Sequence, residues 1–113
     1  MKGLIIRGGW WWRWMPAVYT GMAVFPFIFF RHLHATDRLL QHERIHLRQQ
    51  LETGILPFYI WYLMEYIVGR LRGQNHMAAY MQISFEREAF SHESDPDYLS
   101  HRRVWAFLDY LKS

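Results

Sequence analysis

The sequence predicts an α+β domain, mostly helical, in which about four helices follow a small N-terminal antiparallel sheet. Three observations lead there. Short β-branched and aromatic runs lie between residues 4 and 31, separated by glycine and proline, which is the pattern of strands and turns. From Asp37 onward apolar residues recur at helical spacing, framed by residues that start and stop helices. The 113 residues suffice for one core but not for two, so a single domain spanning 1–113 is expected.

The first strand is read in Gly3–Arg7, from Leu4-Ile5-Ile6, and Gly8-Gly9 ends it. In Trp10-Trp11-Trp12-Arg13-Trp14 the rings cannot all reach one core from a helix or a strand. Either some meet a partner, a second copy or lipid headgroups, or the segment is a β-ribbon with rings on both faces. Met22–Arg31 has strand composition, and Pro26 within it has no N–H for a ladder, which makes it an edge strand. Such an edge leaves backbone groups able to pair with an extended peptide, unless a loop or another chain covers it.

Thr36 is the expected N-cap of a first helix, with Asp37 in the first turn and Gly54 just past the end near Thr53. Pro57 suits the first turn of a second helix, about Leu56 to Arg72, which is apolar nearly all round and interrupted by Glu65. Glu65 is expected in a salt bridge or at the surface, with support of a metal-ligating imidazole as the alternative. Asn75 caps a third helix running to about His92. Ser94-Asp95-Pro96-Asp97 starts a last helix to about Leu111, burying Leu99, Val104, Trp105, Phe107, Leu108 and Leu111.

Composition narrows the function classes. There is no cysteine, which excludes disulfides, thiolate metal sites and cysteine nucleophiles. The net charge of +3 comes from basic residues scattered among acids, so no nucleic-acid stripe is present and an anionic membrane surface suits the charge better. The N-terminus lacks the apolar core and cleavage site of a signal peptide. The runs Met15–Phe30 and Ile55–Val68 are too short or too interrupted to span a bilayer. A cytoplasmic location fits, with membrane association open. The 6 Trp, 7 Tyr and 8 Phe point to a homodimer or a peripheral membrane contact.

Within the first helix, His42-Glu43-Arg44-Ile45-His46 reads H-E-x-x-H. Histidines four apart share one helix face a turn apart, so both imidazoles can reach one zinc ion. Glu43 then lies where a carboxylate can take a proton from zinc-bound water. The bland alternative is an amphipathic helix with polar surface histidines. His32 and His34 are read as polar residues of the linker rather than ligands. A third ligand must come from elsewhere, and Glu86 and Glu88 are the candidates. They lie about 200° apart around a helix and cannot both face the metal. Glu86 shares its face with Ala79, Ile83 and Ala89, which permits close helix approach. Glu88 shares its face with Ser84 and His92, a set that looks more exposed. Glu86 is preferred, and Glu88 stays open.

H-E-R-I-H followed by E-R-E-A resembles the gluzincin metallopeptidases, zincins whose third ligand is a glutamate on a downstream helix. The box Glu-x-x-Ala-Asp of their CAAX-processing and heat-shock members matches at Glu86 and Ala89, but Phe90 stands where the aspartate would be. The run from Phe27 through Leu39-Leu40 to Gln49-Gln50 is also similar to short zincin core domains of phage-tail-like secretion systems. The resemblance covers roughly Met22 to Phe90. It implies a minimal zincin-like domain, a zinc ion on His42, His46 and Glu86, and hydrolysis of a peptide substrate with Glu43 as general base. It also implies an electrophilic helper for the oxyanion, for which Tyr80, Tyr98, His101 and Arg102 are available. Two other readings compete with it: a metal-binding module without activity, and a membrane-surface interaction protein.

Overall fold

The computed structural model describes residues 3–14, 21–31 and 36–111, and it is α+β. His32 and His34 lie outside the described residues. Among those described, three strands precede five α-helices: β1 (Leu4–Arg7), β2 (Gly21–Val24), β3 (Phe27–Phe30), α1 (Asp37–Thr53), α2 (Ile55–Leu71), α3 (His76–Met81), α4 (Ser84–His92) and α5 (Tyr98–His101). Short 3-10 segments cover Trp10–Trp14 and Ala106–Tyr110.

The sheet corrects two expectations. Its order is β1-β3-β2, with β3 antiparallel to β2 but parallel to β1, so it is mixed rather than antiparallel. Met22–Arg31 is not one edge strand. A cis Phe25–Pro26 bond lies in a turn that divides it, and the second half, β3, becomes the central strand. Pro26 has no N–H to lose in the turn, and its carbonyl accepts from the Leu4 N–H of β1 at 2.8 Å. The edge facing α1 is therefore β2. Its Ala23 carbonyl already accepts from Gln50 Nε2 at 2.8 Å and from the Tyr59 hydroxyl, so that part of the edge is closed to a peptide.

The tryptophans divide as the residue count demands. Trp12 is buried, with the Arg31 guanidinium 5.3 Å over its ring, while Trp10 and Trp14 are exposed. They form a 3-10 turn, not a β-ribbon.

α1 has the expected limits. The Thr36 hydroxyl accepts from the Leu39 N–H at 3.0 Å, and Gly54 ends the helix at φ 93°, a backbone conformation that glycine adopts without a Cβ penalty. α2 also runs nearly as predicted. Its single acid turns inward: Glu65 accepts from the backbone N–H of Ser84 at 2.9 Å and from its hydroxyl at 2.5 Å. That contact explains why the third predicted helix is two. Nothing in residues 76–92 breaks a helix, but the Glu65 carboxylate caps a new start at Ser84, and Gln82 donates to the Glu65 carbonyl at 2.9 Å.

The last predicted helix is also absent. After one turn at Tyr98–His101 the chain extends at Arg102, and Trp105 takes a left-handed backbone at φ 62°. Of the residues expected in its core only Phe107 is fully buried, in a cluster with Phe58, Ile83 and Phe85. Val104, Trp105, Leu108 and Leu111 are exposed. The reason is Arg102, which turns inward to two carboxylates and draws the chain off the helical path.

α1 lies at the centre. Leu47 packs on the sheet with Ala23, Ile28 and Phe30, and Ile45 packs on Ala89 and Tyr98. The motif helix is thus held between the sheet and α4.

Candidate metal centre

Two residues of α1 and one of α4 converge. His42 Nε2 and His46 Nε2 are 3.2 Å apart, and Glu86 Oε1 lies 2.9 Å from the first and 3.1 Å from the second. A tetrahedral zinc with ligand bonds of about 2.0–2.1 Å requires donor atoms about 3.3 Å apart. The three side chains, all buried, therefore offer two imidazole nitrogens and one carboxylate oxygen at nearly the spacing that such an ion needs. The small neighbours expected around Glu86 permit it: Ala79, Ile83 and Ala89 are fully buried, and Ala89 meets Ile45 of α1.

The surrounding groups hold these donors in place. The Tyr62 hydroxyl of α2 donates to Glu86 Oε2 at 2.5 Å, which leaves Oε1 facing the histidines. His46 Nδ1 donates to Gln49 Oε1 at 2.7 Å. His42 Nδ1 lies 3.7 Å from Glu93 Oε1, so a second carboxylate stands on the far side of that ring. Sequence reasoning missed Tyr62 and Glu93, and it named Gln49 only within the Gln49-Gln50 pair of a family resemblance, without a role. The i+3 spacing of Gln49 from His46 was a further signal; Tyr62 had none beyond a polar tip on an apolar helix.

Glu88 is not exposed and does not reach the cluster. It is fully buried and receives the Tyr98 hydroxyl at 2.6 Å and a bidentate contact from Arg102. The surface reading failed because its cation comes from 14 residues downstream. Burial opposes its charge, but the hydrogen bonds from Arg102, Tyr98 and Gln49 outweigh burial and hold the carboxyl below its usual range.

Glu43 is also buried, at 6% exposure. Burial pushes its carboxyl upward; His46 and His42 pull the other way, and Glu86 and Glu93 add to the rise. Its side chain faces the start of β2, where a Cβ on Gly21 would lie 3.2 Å from Glu43 Oε2. Gly21, Glu43 and Tyr80 line two adjoining cavities. One of about 420 Å³ extends over His42, Met77 and Phe90, and the other, of about 190 Å³, over His46, Phe58, Tyr59 and Tyr62. Of the four suggested oxyanion donors only Tyr80 borders these cavities. Tyr98 and Arg102 are engaged with Glu88, and His101 is at the surface near Asp95.

Burial disfavours charge on His46, yet the Glu86 carboxylate, by its charge and hydrogen bond, outweighs burial and raises the imidazole to about 9. Before metal is added, His46 is therefore protonated at neutral pH. A cation taking Nε2 must displace that proton, so zinc uptake at pH 7 is expected to release about one proton from this site, falling toward none above pH 9. Calorimetric titration in buffers of different ionisation enthalpy measures the number; uptake without proton release at pH 7 is the contrary result. The linked sign for the apo fold is the reverse. The His46–Glu86 contact stabilises fully below the ordinary histidine value of 6.5 and loses its contribution as pH rises through about 9.

Comparison of the sequence with protein-family models and with curated proteins, and of the fold with solved structures, finds no match. Fold and site together define an α+β domain with a buried His-His-Glu cluster open to a two-part cleft.

Proposed function

We propose that the chain is a zinc-dependent peptide hydrolase of the gluzincin kind, a minimal zincin-like domain in which His42, His46 and Glu86 hold the metal and Glu43 is the general base. One observation carries the reading. Donor atoms 40 and 44 positions apart in sequence converge at zinc spacing beside a buried carboxylate and an open cleft. Bound zinc supplies a Lewis acid that acidifies water and polarises a carbonyl. Glu43 takes the proton from the attacking water and passes it to the leaving amine. Tyr80 donates to the developing oxyanion. The peptide crosses the cleft at the Gly21–Met22 end of β2, beyond the closed Ala23 carbonyl.

Elemental analysis of the purified chain beside His46→Ala tests the metal. About one zinc per chain, lost in the variant, is expected; no zinc after supply and removal of excess sinks the reading. Zinc without cleavage of any peptide in a mixed library would leave a metal-binding module without activity.

A second surface supports the expected peripheral contact or self-association. The outward face of α2 presents Leu56, Ile60, Leu63, Met64, Ile67 and Leu71, all exposed, while the one acid of the helix, Glu65, is turned to Ser84. Six such residues in a row exceed the scattered apolar exposure of an ordinary surface. No helix among the described residues is long and apolar enough to cross a membrane. Light scattering with and without anionic vesicles separates a second copy from a lipid surface; a monomer at high concentration that ignores vesicles is the contrary outcome.

A further inference from the structure

Two adjacent glutamines of α1, Gln49 and Gln50, are buried, and amides at that depth need a partner at each end. Gln50 faces the sheet, donating to the Ala23 carbonyl at 2.8 Å and accepting from the Phe25 N–H at 2.6 Å. Gln49 faces the other way. Its nitrogen lies 3.0 Å from the Phe85 carbonyl and 3.0 Å from Glu88 Oε1. A carbonyl and an ionised carboxylate only accept, so these two neighbours orient the amide without ambiguity. Its oxygen is left 2.7 Å from His46 Nδ1 and must accept from it. His46 thereby keeps a hydrogen on Nδ1, which leaves Nε2 as the nitrogen facing Glu86 and His42.

The chain of contacts continues. Glu88 is gripped by Arg102, whose other edge makes a bidentate contact with Glu52 at 2.7 and 3.1 Å, and Glu52 also accepts from the Trp105 N–H at 2.9 Å. We propose that Gln49 is the positioning residue of the metal centre: it relays the buried Glu88 carboxylate to the His46 imidazole and so ties that ligand's orientation to the Tyr98–Trp105 segment. The chemistry requires an amide. A carboxylate at position 49 would face Glu88 with like charge, and an apolar side chain would leave Nδ1–H, Glu88 and the Phe85 carbonyl each short of a partner. This inference rests on the metal reading above, with Gln49 acting through His46 and touching no substrate.

The test compares Gln49→Met with Gln50→Met in the full chain. Zinc affinity is read by chelator competition, and in the zinc-loaded wild type the His46 Nδ1–H is followed by proton NMR. Gln49→Met is expected to lower zinc affinity ten- to a hundredfold. Gln50→Met is expected to lower the melting temperature while affinity stays close to wild type. The wild type should show a slowly exchanging Nδ1–H resonance with a nuclear Overhauser contact to Gln49. Equal affinity losses in the two variants would make Gln49 merely structural, and wild-type affinity in Gln49→Met would likewise overturn the proposal. Should Gln49→Met fail to fold, the wild-type resonance decides alone, and its absence overturns the relay. A wild type that takes up no zinc at all overturns the metal reading first, so the two failures are told apart.

Discussion

Replacing Glu43 by glutamine is expected to lower peptide cleavage about 100- to 10,000-fold while zinc remains bound, the range associated with removal of a positioned general base. The substitution keeps volume and hydrogen-bonding reach but removes the proton acceptor. Glu43 is no ligand in this geometry: the convergent atoms belong to His42, His46 and Glu86. In the metal-free chain, burial pushes the Glu43 carboxyl upward against the pull of His46 and His42. The same shift predicts the effect on stability. A carboxylate whose folded pKa lies above its ordinary value of 4.5 costs stability as pH rises through and beyond that value. In the metal-free chain at neutral pH, Glu43→Gln should therefore be at least as stable as the wild type, and that advantage should vanish below the ordinary carboxyl value of 4.5. Activity lost with stability retained separates a catalytic carboxylate from a structural one. Cleavage at the wild-type rate, or cleavage lost together with zinc, would defeat the assignment.

The largest stability effect is expected at Arg102. Its side chain has no exposure, Glu88 beside it has none, and Glu52 has 11%. Removing one partner of such a group leaves uncompensated buried charge, which costs roughly 3–5 kcal/mol. Against a domain stability of about 5–15 kcal/mol, Arg102→Met should fold marginally and melt roughly 10–25 °C lower. The pH dependence should also invert. In the wild type the lowered Glu88 carboxyl contributes stability above the ordinary value of 4.5, and that contribution is lost as pH falls. Without Arg102 the buried Glu88 is raised instead, so protonation relieves the variant and lowering pH from 7 to 5 should narrow its deficit. Glu88→Gln in the Arg102→Met background should recover part of the loss, because it removes the orphaned charge. Urea unfolding at both pH values measures all three quantities, and a variant within about 1 kcal/mol of wild type would refute the network's structural weight.

Local signals in the sequence were enough for α1 and most of α2. Thr36, Gly54 and Pro57 act within one turn of themselves, through a cap, a left-handed C-terminus and a fixed φ, so neighbouring residues alone determine where those helices begin and end. The same locality made the histidine pair legible, since i and i+4 on a helix project together whatever surrounds them. That Glu86 rather than Glu88 meets the two histidines was also readable from the small residues on its face.

Tertiary structure alone decided the rest, because each remaining feature depends on charges or backbone groups that meet from distant positions. The break between α3 and α4 comes from Glu65, 19 positions before Ser84. The loss of the last helix comes from Arg102 reaching Glu52, 50 positions earlier. The central place of β3 depends on β1 pairing with it in parallel across a connection that contains β2, and the local turn signals at Gly8-Gly9 and Pro26 do not specify that pairing. Gln49 reads as one more polar helix residue until Glu88, 39 positions on, arrives to orient its amide. Hydrophobic period and capping residues specify segments; a buried charge specifies which segments must meet, since it cannot stay buried without its partner.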